Sequence, residues 1–397
     1  MEDPSQEDGP RVLKVLEALK QASHELQTHP SHKLHESHSS AIKALLELEN
    51  ESDKILSKDP NLSALSQHLT DLKTLVESLQ KSGGHSLRSF LSRRISTYSI
   101  SRIAGSIESE IQAWIDREII DNLTRALEDP FRDEDKLVTL LIQFEERVSQ
   151  GFSRKLQDLV LESKLFSLLE SVLCNPNYSK RIREHSAFGI AALIRFNKDV
   201  FVGHVLMGAT VRVLIAMAST QSIEVLCSLI RSIKSPLVDE IESNGEIPKI
   251  ISFLNFQDLQ MQVLGLDCVL EIGYFGRKEA VDTMLKEGLI KKLVELQISE
   301  LGGDLIDLGW HTEKENREVS VVGLVGKRES REKRFIDKHP FASCVARFSV
   351  QLEVGEGLRQ REKRAFKQEI VRRVREASVS DAEAATIVAE VLWGSSP

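Results

Sequence analysis

Aromatic residues and proline are scarce in this 397-residue sequence, and their scarcity disfavours whole classes of fold. Aromatics make up 5% of the chain and prolines number 10, whereas all-β folds depend on aromatic strands and frequent turns. Leucine, isoleucine, alanine, glutamate and lysine are abundant instead, and these residues favour helices. Hydrophobic residues still reach 41% of the chain, enough for a packed core. The composition therefore predicts an all-α protein.

Cysteine is also sparse, and its positions argue against a disulfide or zinc framework. None of the four cysteines forms a CxxC pair: Cys174, Cys227, Cys268 and Cys344. Thiols within apolar helical segments are typical of reduced, buried residues. The first residues, Met1-Glu2-Asp3-Pro4, are acidic and polar, so no signal or transit peptide is predicted. The expected location is therefore the cytoplasm, the nucleus or both.

Positive charge is in deficit, and long uncharged runs are rare. The formal net charge of −8 disfavours nucleic acid as an obligatory partner. Val200 to Ile223 carries one formal charge, Arg212, but Gly203 and Gly208 break the run into helix-sized pieces. We therefore predict two buried helices there and no transmembrane segment. A peripheral contact with a membrane remains open.

Amphipathic patterns follow one another through the first 117 residues. The clearest of the four has six apolar residues at alternating steps of three and four, before a Gly83-Gly84 break: Leu62, Leu65, Leu69, Leu72, Val76 and Leu79. This spacing places all six on one face of a helix. Four such helices can bury their apolar faces only against one another, so a helical bundle is predicted over residues 1–117.

A repeated motif begins after the bundle. Gly245-Glu-Ile-Pro-Lys-Ile-Ile has echoes that start at Gly288, Gly208 and Ser163, separated by 43, 37 and 45 residues. A glycine before the apolar run suits the end of one helix, and Pro248 suits the first turn of the next. A period near 42 residues is typical of helical armadillo and HEAT repeats. Repeat units are predicted to start near residues 118, 163, 208, 245 and 288, spanning 118–310.

These motifs resemble the armadillo repeat family, most closely in the Gly-x-Ile-Pro pattern followed twenty residues later by the small residue Gly265. The resemblance implies a right-handed α-solenoid. An N-terminal bundle followed by such repeats is similar to the plant armadillo proteins that include the U-box ligases. The sequence contains no U-box between bundle and repeats, so ligase activity is not implied.

Two further segments complete the predicted organisation. Residues 311–340 are dense in charges of both signs, which predicts a largely disordered insertion within a repeat. Helical patterning returns in residues 341–397, where Ser380-Asp-Ala-Glu383 is a capping box before the last helix. These C-terminal helices are predicted to close the open end of the solenoid.

Motifs that carry catalysis are missing. Gly323-Leu-Val-Gly326-Lys327 lacks the hydroxyl residue of a phosphate-binding loop, because Arg328 stands in its place. His32, His35 and His38 recur every three residues, but a solvated linker explains them better than a metal site. No enzymatic activity, cofactor or metal ion is therefore predicted.

The predicted function is a non-catalytic scaffold or adaptor that binds another protein along its armadillo groove. The resemblance implies groove contacts at Asp267 and Glu271, which occupy the offsets where importin-type members carry Trp and Asn. Two carboxylates one helical turn apart suit a basic peptide or surface. Arg93 and Arg94 before Ser96 make Ser96 a candidate phosphorylation site. The alternative is a peripheral membrane protein or ubiquitin-ligase accessory factor targeted by the N-terminal bundle.

Overall fold

The computed structural model describes residues 63–81, 87–128, 133–303 and 335–393, together with residues 16, 20 and 21. This part of the chain contains seventeen complete α-helices and no strand. The all-α prediction is confirmed. The helices form two compact units, the first built from residues 1–131 and 153–165 and the second from residues 132–152 and 166–397.

Three helices belong to the first unit: α1 (Ser63–Lys81), α2 (Leu87–Glu128) and α4 (Arg154–Glu162). The predicted stripe on α1 is confirmed where side chains are described, because Leu65, Leu69 and Leu72 are buried. Both α1 and α4 pack against α2, and Lys155 on α4 pairs with Glu110 on α2 at 2.9 Å. The first two helices predicted for the bundle lie outside the described residues, apart from residues 16, 20 and 21.

The 42-residue helix α2 runs through the predicted domain boundary. Residues 117 and 118, where the bundle was predicted to end and the repeats to begin, both lie inside this helix. No glycine or proline occurs between Ser106 and Glu128, and Pro130 follows two residues later. Without a residue that breaks helices, the change in sequence character at 118 did not end the helix.

The second unit is a solenoid of short helix triplets. Its helices are α3 (Glu134–Ser149), α5 (Leu165–Cys174), α6 (Lys180–Phe196), α7 (Lys198–Met207), α8 (Thr210–Met217), α9 (Thr220–Ile233), α10 (Ser235–Ser243), α11 (Ile247–Ser252), α12 (Leu259–Phe275), α13 (Lys278–Lys286), α14 (Leu289–Gln297), α15 (Cys344–Val354), α16 (Gln360–Ala377) and α17 (Asp381–Trp393). Helices α7–α9, α10–α12 and α13–α15 form three successive triplets.

Helices α3 and α6 and the third helices of the three triplets stack in one row. Helix α3 packs on α6, α6 on α9, α9 on α12, and α12 on α15. We call this row of five helices the ladder. Small or buried apolar residues line the contacts, including Ala187 and Ala191 on α6. Each ladder helix is fixed by its two neighbours, which is the one-dimensional packing of a repeat protein.

The four copies of the sequence motif fall at equivalent places in successive repeats. Ser163, Gly208, Gly245 and Gly288 each stand just before the second helix of a unit, namely α5, α8, α11 and α14. Gly245 and Gly288 have positive φ values of 68° and 78°, a conformation that favours glycine. Gly208 does not share it. There a side chain would instead collide with the Glu170 carboxylate.

The Glu170 carboxylate occupies the space beside Gly208 because it binds the next helix. Its Oε1 atom accepts hydrogen bonds from the Ala209 backbone N–H at 3.1 Å and from the Thr210 hydroxyl at 2.9 Å. Both donors lie at the N-terminus of α8, where backbone N–H groups lack partners within the helix. A glutamate from α5 therefore caps the corresponding helix of the next unit.

The apolar stretch from Val200 to Ile223 is divided among helices, as predicted, but α7 is not the buried helix expected, because Met207 is 89% exposed and only Phe201 and Val205 are buried. Helices α7 and α8 meet at an angle of 68° after the break at Gly208, and α9 begins at Thr220. By length and composition, that bent pair is the one candidate for a membrane span among the described residues, and no single described helix qualifies.

The C-terminal region supplies the third helix of the last triplet. Helix α15 packs on α12 and so takes the third-helix position of the last triplet, while α16 and α17 follow it. Ser380 Oγ accepts a hydrogen bond from Glu383 N at 3.2 Å, so the predicted cap of α17 forms. Of the predicted insertion over 311–340, residues 335–338 form one helical turn and 339–340 continue toward α15, while 311–334 lie outside the described residues.

Candidate binding face on the ladder

Charged side chains from all five ladder helices, together with one serine, make the candidate site, which we call the ladder face. It comprises Glu145 on α3, Arg195 on α6, Glu224, Ser228 and Arg231 on α9, Asp267 and Glu271 on α12, and Arg347 on α15. The face carries charges of both signs: α3 and α12 contribute carboxylates, α6 and α15 contribute arginines, and α9 contributes one of each. The face therefore presents rows of acid and base rather than a patch of one sign.

Local sequence signals position the two central helices. Ser219 and Ser222 form a reciprocal capping box at the start of α9, and Asp258 caps α12 by accepting from Gln260 N at 3.1 Å. Gly265 lets α12 approach the preceding turn, because a Cβ atom there would stand 2.9 Å from the Cβ of Phe253. Gly265 therefore lies at a close crossing between α12 and the turn at Phe253.

Glu271 is engaged within the protein. Its Oε1 accepts a hydrogen bond from Arg231 Nε at 2.6 Å, across 40 residues of sequence. The Arg231 side chain is 56% exposed and that of Glu271 is 22% exposed. The pair joins two neighbouring ladder helices, α9 and α12, at the protein surface. Surface ion pairs of this kind contribute about 0.2–1 kcal/mol to stability.

Asp267 differs from its neighbour one turn away. It is half-buried, and it makes no hydrogen bond or ion pair with any described residue. Burial raises the pKa of Asp267, Arg347 and Arg231 oppose that effect, and Glu271 adds to it. The Arg347 guanidinium is turned to another partner, since its Nη1 donates to the Pro340 carbonyl at 2.6 Å. A partly desolvated carboxylate thus lies between two arginines without a direct contact to either.

The other end of the ladder face is more acidic. Arg195 donates to Ser228 Oγ at 3.0 Å and lies 3.8 Å from the Glu145 carboxylate. Burial raises the pKa of Glu145, Arg195 counters the rise, and repulsion by Glu146 and Glu224 reinforces it. Glu224 itself is exposed and has no ion pair within the described part of the chain. This end therefore has a surplus of carboxylates.

Two thiols lie beneath the ladder face. Cys227 on α9 and Cys268 on α12 are buried, with their Sγ atoms 2.7 Å apart. Burial raises the pKa of the Cys268 thiol well above its ordinary value, and the hydrogen bond with Cys227 adds to the shift. Burial likewise raises the pKa of Cys344, to about 12. Such thiols are poor nucleophiles at neutral pH because little thiolate is present.

The sequence motifs single out two acidic residues of the ladder face and pass over the arginines beside them. Asp267 and Glu271 do share one face of α12, but Arg231 and Arg347 from the neighbouring ladder helices stand beside them. One signal was available. Arg195 and Arg231 both lie in the last turn of a ladder helix, 36 residues apart. A basic residue that recurs at the repeat interval indicates a row across units.

The remaining predicted sites involve side chains that lie outside the described part of the structure. Ser96 falls within α2, in a part of the helix whose side chains are not described, so its phosphorylation stays a prediction. His32, His35 and His38 lie outside the described residues. Within the described ranges, no three His, Cys, Asp or Glu side chains are grouped as ligands for a metal ion.

No protein-family model and no curated protein matches this chain. Among solved structures, a designed armadillo repeat protein has 13% sequence identity and a TM-score of 0.41, over 69% of this chain and 99% of its own. A second designed armadillo repeat protein, in complex with the peptide (KR)4, has 14% identity and a TM-score of 0.40, over 70% of this chain and 99% of its own. An engineered protein with 14% identity and a TM-score of 0.40 covers 97% of this chain and 98% of its own. The helix triplets of the chain itself carry the solenoid assignment, and these comparisons give no support to the plant branch of the family.

Proposed function

We propose that this protein is a non-catalytic scaffold that holds a basic segment of a partner protein along the ladder face. The observation that carries this proposal is Asp267, a half-buried carboxylate without a hydrogen bond or ion pair among the described residues. A group that has lost part of its hydration and gained no partner is ready to accept a cation from a ligand.

The preference for a basic partner follows from the carboxylates that remain available. Glu271 is occupied by Arg231, whereas Asp267 and Glu224 are not paired within the described part of the chain. A partner with lysine or arginine at intervals could pair with both, on adjacent ladder helices. The repeat packing holds these helices in place before binding, which limits the entropy that the protein loses.

The same proposal accounts for the absence of catalytic motifs and for the thiols. Binding along the ladder face requires no nucleophile, general base or cofactor. We propose a location in the cytoplasm, the nucleus or both, and four free cysteines, three of them buried, are compatible with such a reducing compartment.

The test measures the affinity of a fluorescein-labelled (KR)4 peptide for the intact protein by fluorescence anisotropy. Asp267→Asn removes the charge and keeps the side-chain shape, so we expect about a five- to tenfold weaker affinity from one lost charge contact. The fold should be unaffected, because the amide avoids the cost of burying a charge. Added salt should weaken binding of the wild type by screening.

Glu287→Gln is the matched control, because Glu287 is exposed, carries the same charge and lies outside the ladder. Its affinity for the peptide should equal that of the wild type. Two results would contradict the proposal: equal affinities for wild type and Asp267→Asn, or equal losses for the two variants. The second would mean that net charge alone attracts the peptide.

A further inference from the structure

A row of arginines lies along one face of α16, a helix that does not belong to the ladder. Arg361, Arg364, Arg372 and Arg375 are all exposed. Their positions i, i+3, i+11 and i+14 repeat close to whole turns of an α-helix, so the four side chains share one face. The buried side of α16 is formed by Phe366, Ile370 and Val374. The helix thus presents cations to solvent along about four turns.

Most of these arginines are not neutralised by the protein. Arg372 is paired with Glu369 at 2.6 Å and also contacts Glu376. By contrast, Arg361, Arg364 and Arg375 make no ion pair or hydrogen bond with any described residue. Hydrogen bonds from Arg372 and Arg373 hold the pKa of Glu369 at about 2, which is the direction expected beside an excess of positive charge. A chain with a net charge of −8 has therefore concentrated cations here.

Apolar surface adjoins the arginines. A cleft of about 710 Å³ between α16 and α17 is lined by Arg364, Arg372, Arg375, Val371 and Leu392 among others. Leu392 is 52% exposed, and Trp393 beyond it is 81% exposed. A cleft of this volume has the size of a typical ligand pocket. Exposed large apolar residues beside a charged rim are a common feature of protein-binding sites.

We propose that the cleft between α16 and α17 docks an acidic, amphipathic segment of a partner protein. An apolar side chain of that segment would contact Val371 and Leu392, while its carboxylates would pair with Arg364 and Arg375. Arginine suits this role because its planar fork binds a carboxylate through two parallel hydrogen bonds. A cleft with an apolar floor and charged rim fits a peptide side chain better than the flat headgroup layer of a membrane.

The probe is a fluorescein-labelled peptide, Glu-Asp-Glu-Leu-Asp-Glu-Phe-Glu-Asp, titrated with the full chain in an anisotropy assay. We expect saturable binding that weakens as salt is added. Arg364→Glu should reduce affinity at least tenfold, because an attraction becomes a repulsion, and Arg364→Gln should reduce it less. Leu392→Ala should reduce it several-fold without altering the salt dependence.

Arg212→Glu is the matched control, since Arg212 is exposed on α8 and has no ion pair among the described residues. It changes the net charge equally and should leave the affinity unchanged. Equal losses for Arg212→Glu and Arg364→Glu would overturn the proposal. So would equal binding of a peptide in which serine replaces Leu and Phe. Sedimentation with vesicles of 70% phosphatidylcholine and 30% phosphatidylserine tests the alternative ligand, a membrane surface. Vesicle binding that depends on Arg364, in the absence of peptide binding, would indicate a membrane surface and overturn the proposal of a protein partner.

Discussion

Replacement of Gly265 by leucine should lower the free energy of unfolding by about 3 kcal/mol, among the largest single-residue effects expected in this chain. A Cβ at residue 265 would lie 2.9 Å from Phe253 Cβ, 3.4 Å from the Phe253 carbonyl carbon and 3.5 Å from Leu254 N. Two of these atoms belong to the backbone, so they cannot move aside by changing a rotamer. Helix α12 would have to move away from the turn at Phe253–Asn255 that follows α11, and the ladder contact with α9 would move with it. Urea unfolding followed by circular dichroism measures the loss.

Alanine substitutions at two helical glycines give a sharp control, because they should change stability in opposite directions. Gly265→Ala should destabilise the protein, since even a methyl group at residue 265 meets Phe253. Gly203→Ala should stabilise it by about 0.5–1 kcal/mol, because Gly203 lies in α7 with nothing within 4 Å of its added Cβ. If Gly265→Leu unfolds at the same urea concentration as the wild type, α12 does not pack closely on the turn at Phe253–Asn255.

Loss of the Glu390 carboxylate should also cost about 3 kcal/mol. Glu390 is fully buried on α17 and accepts hydrogen bonds from Gln297 Nε2 at 2.7 Å and from the Ser343 hydroxyl. Gln297 in turn accepts from Val345 N at 3.2 Å, which extends the network to the start of α15. Glu390→Ala would leave buried donors without this acceptor and create a cavity. Glu390→Gln should lose less, because the amide keeps one acceptor and the volume.

Hydrogen exchange locates this effect, since the end of a solenoid can open separately from its middle. In Glu390→Ala the amides of α14, α15 and α17 should lose protection, while those of α6 keep theirs. Glu376→Ala, at an exposed position on α16, should shift stability by no more than about 0.5 kcal/mol. Unchanged protection in α17 of Glu390→Ala would show that the buried network does not hold the C-terminal helices.

The last helix shows where reasoning from sequence reaches its limit. The pattern Ile387, Val388, Val391 and Leu392 predicts one apolar face, and the first three residues are indeed buried. Leu392 is 52% exposed, however, and Glu390 is fully buried in its place. Average preference puts leucine inside and glutamate outside. The order is reversed here because donors from α14 and from the turn before α15 converge on Glu390.

The candidate site likewise depends on contacts that the sequence pattern does not reveal. That Asp267 and Glu271 share a face follows from helical periodicity alone. That Glu271 is paired and Asp267 is not depends on Arg231, 40 residues before Glu271, and on Arg347, which donates to Pro340 instead. Which of the two carboxylates is paired cannot be read from the sequence, because the pairing depends on how the three ladder helices α9, α12 and α15 align.

The sequence by itself determined the all-α class, the repeat interval and the glycine turns before α11 and α14. These features arise from interactions within a few residues, such as apolar spacing, glycine at positive φ and caps, so they can be recognised locally. Only the tertiary structure decided that α15 completes the ladder and which charges remain unpaired. Those outcomes depend on groups from distant segments being brought within hydrogen-bonding distance and withdrawn from water, and the free energy of such contacts exists only once the helices have packed.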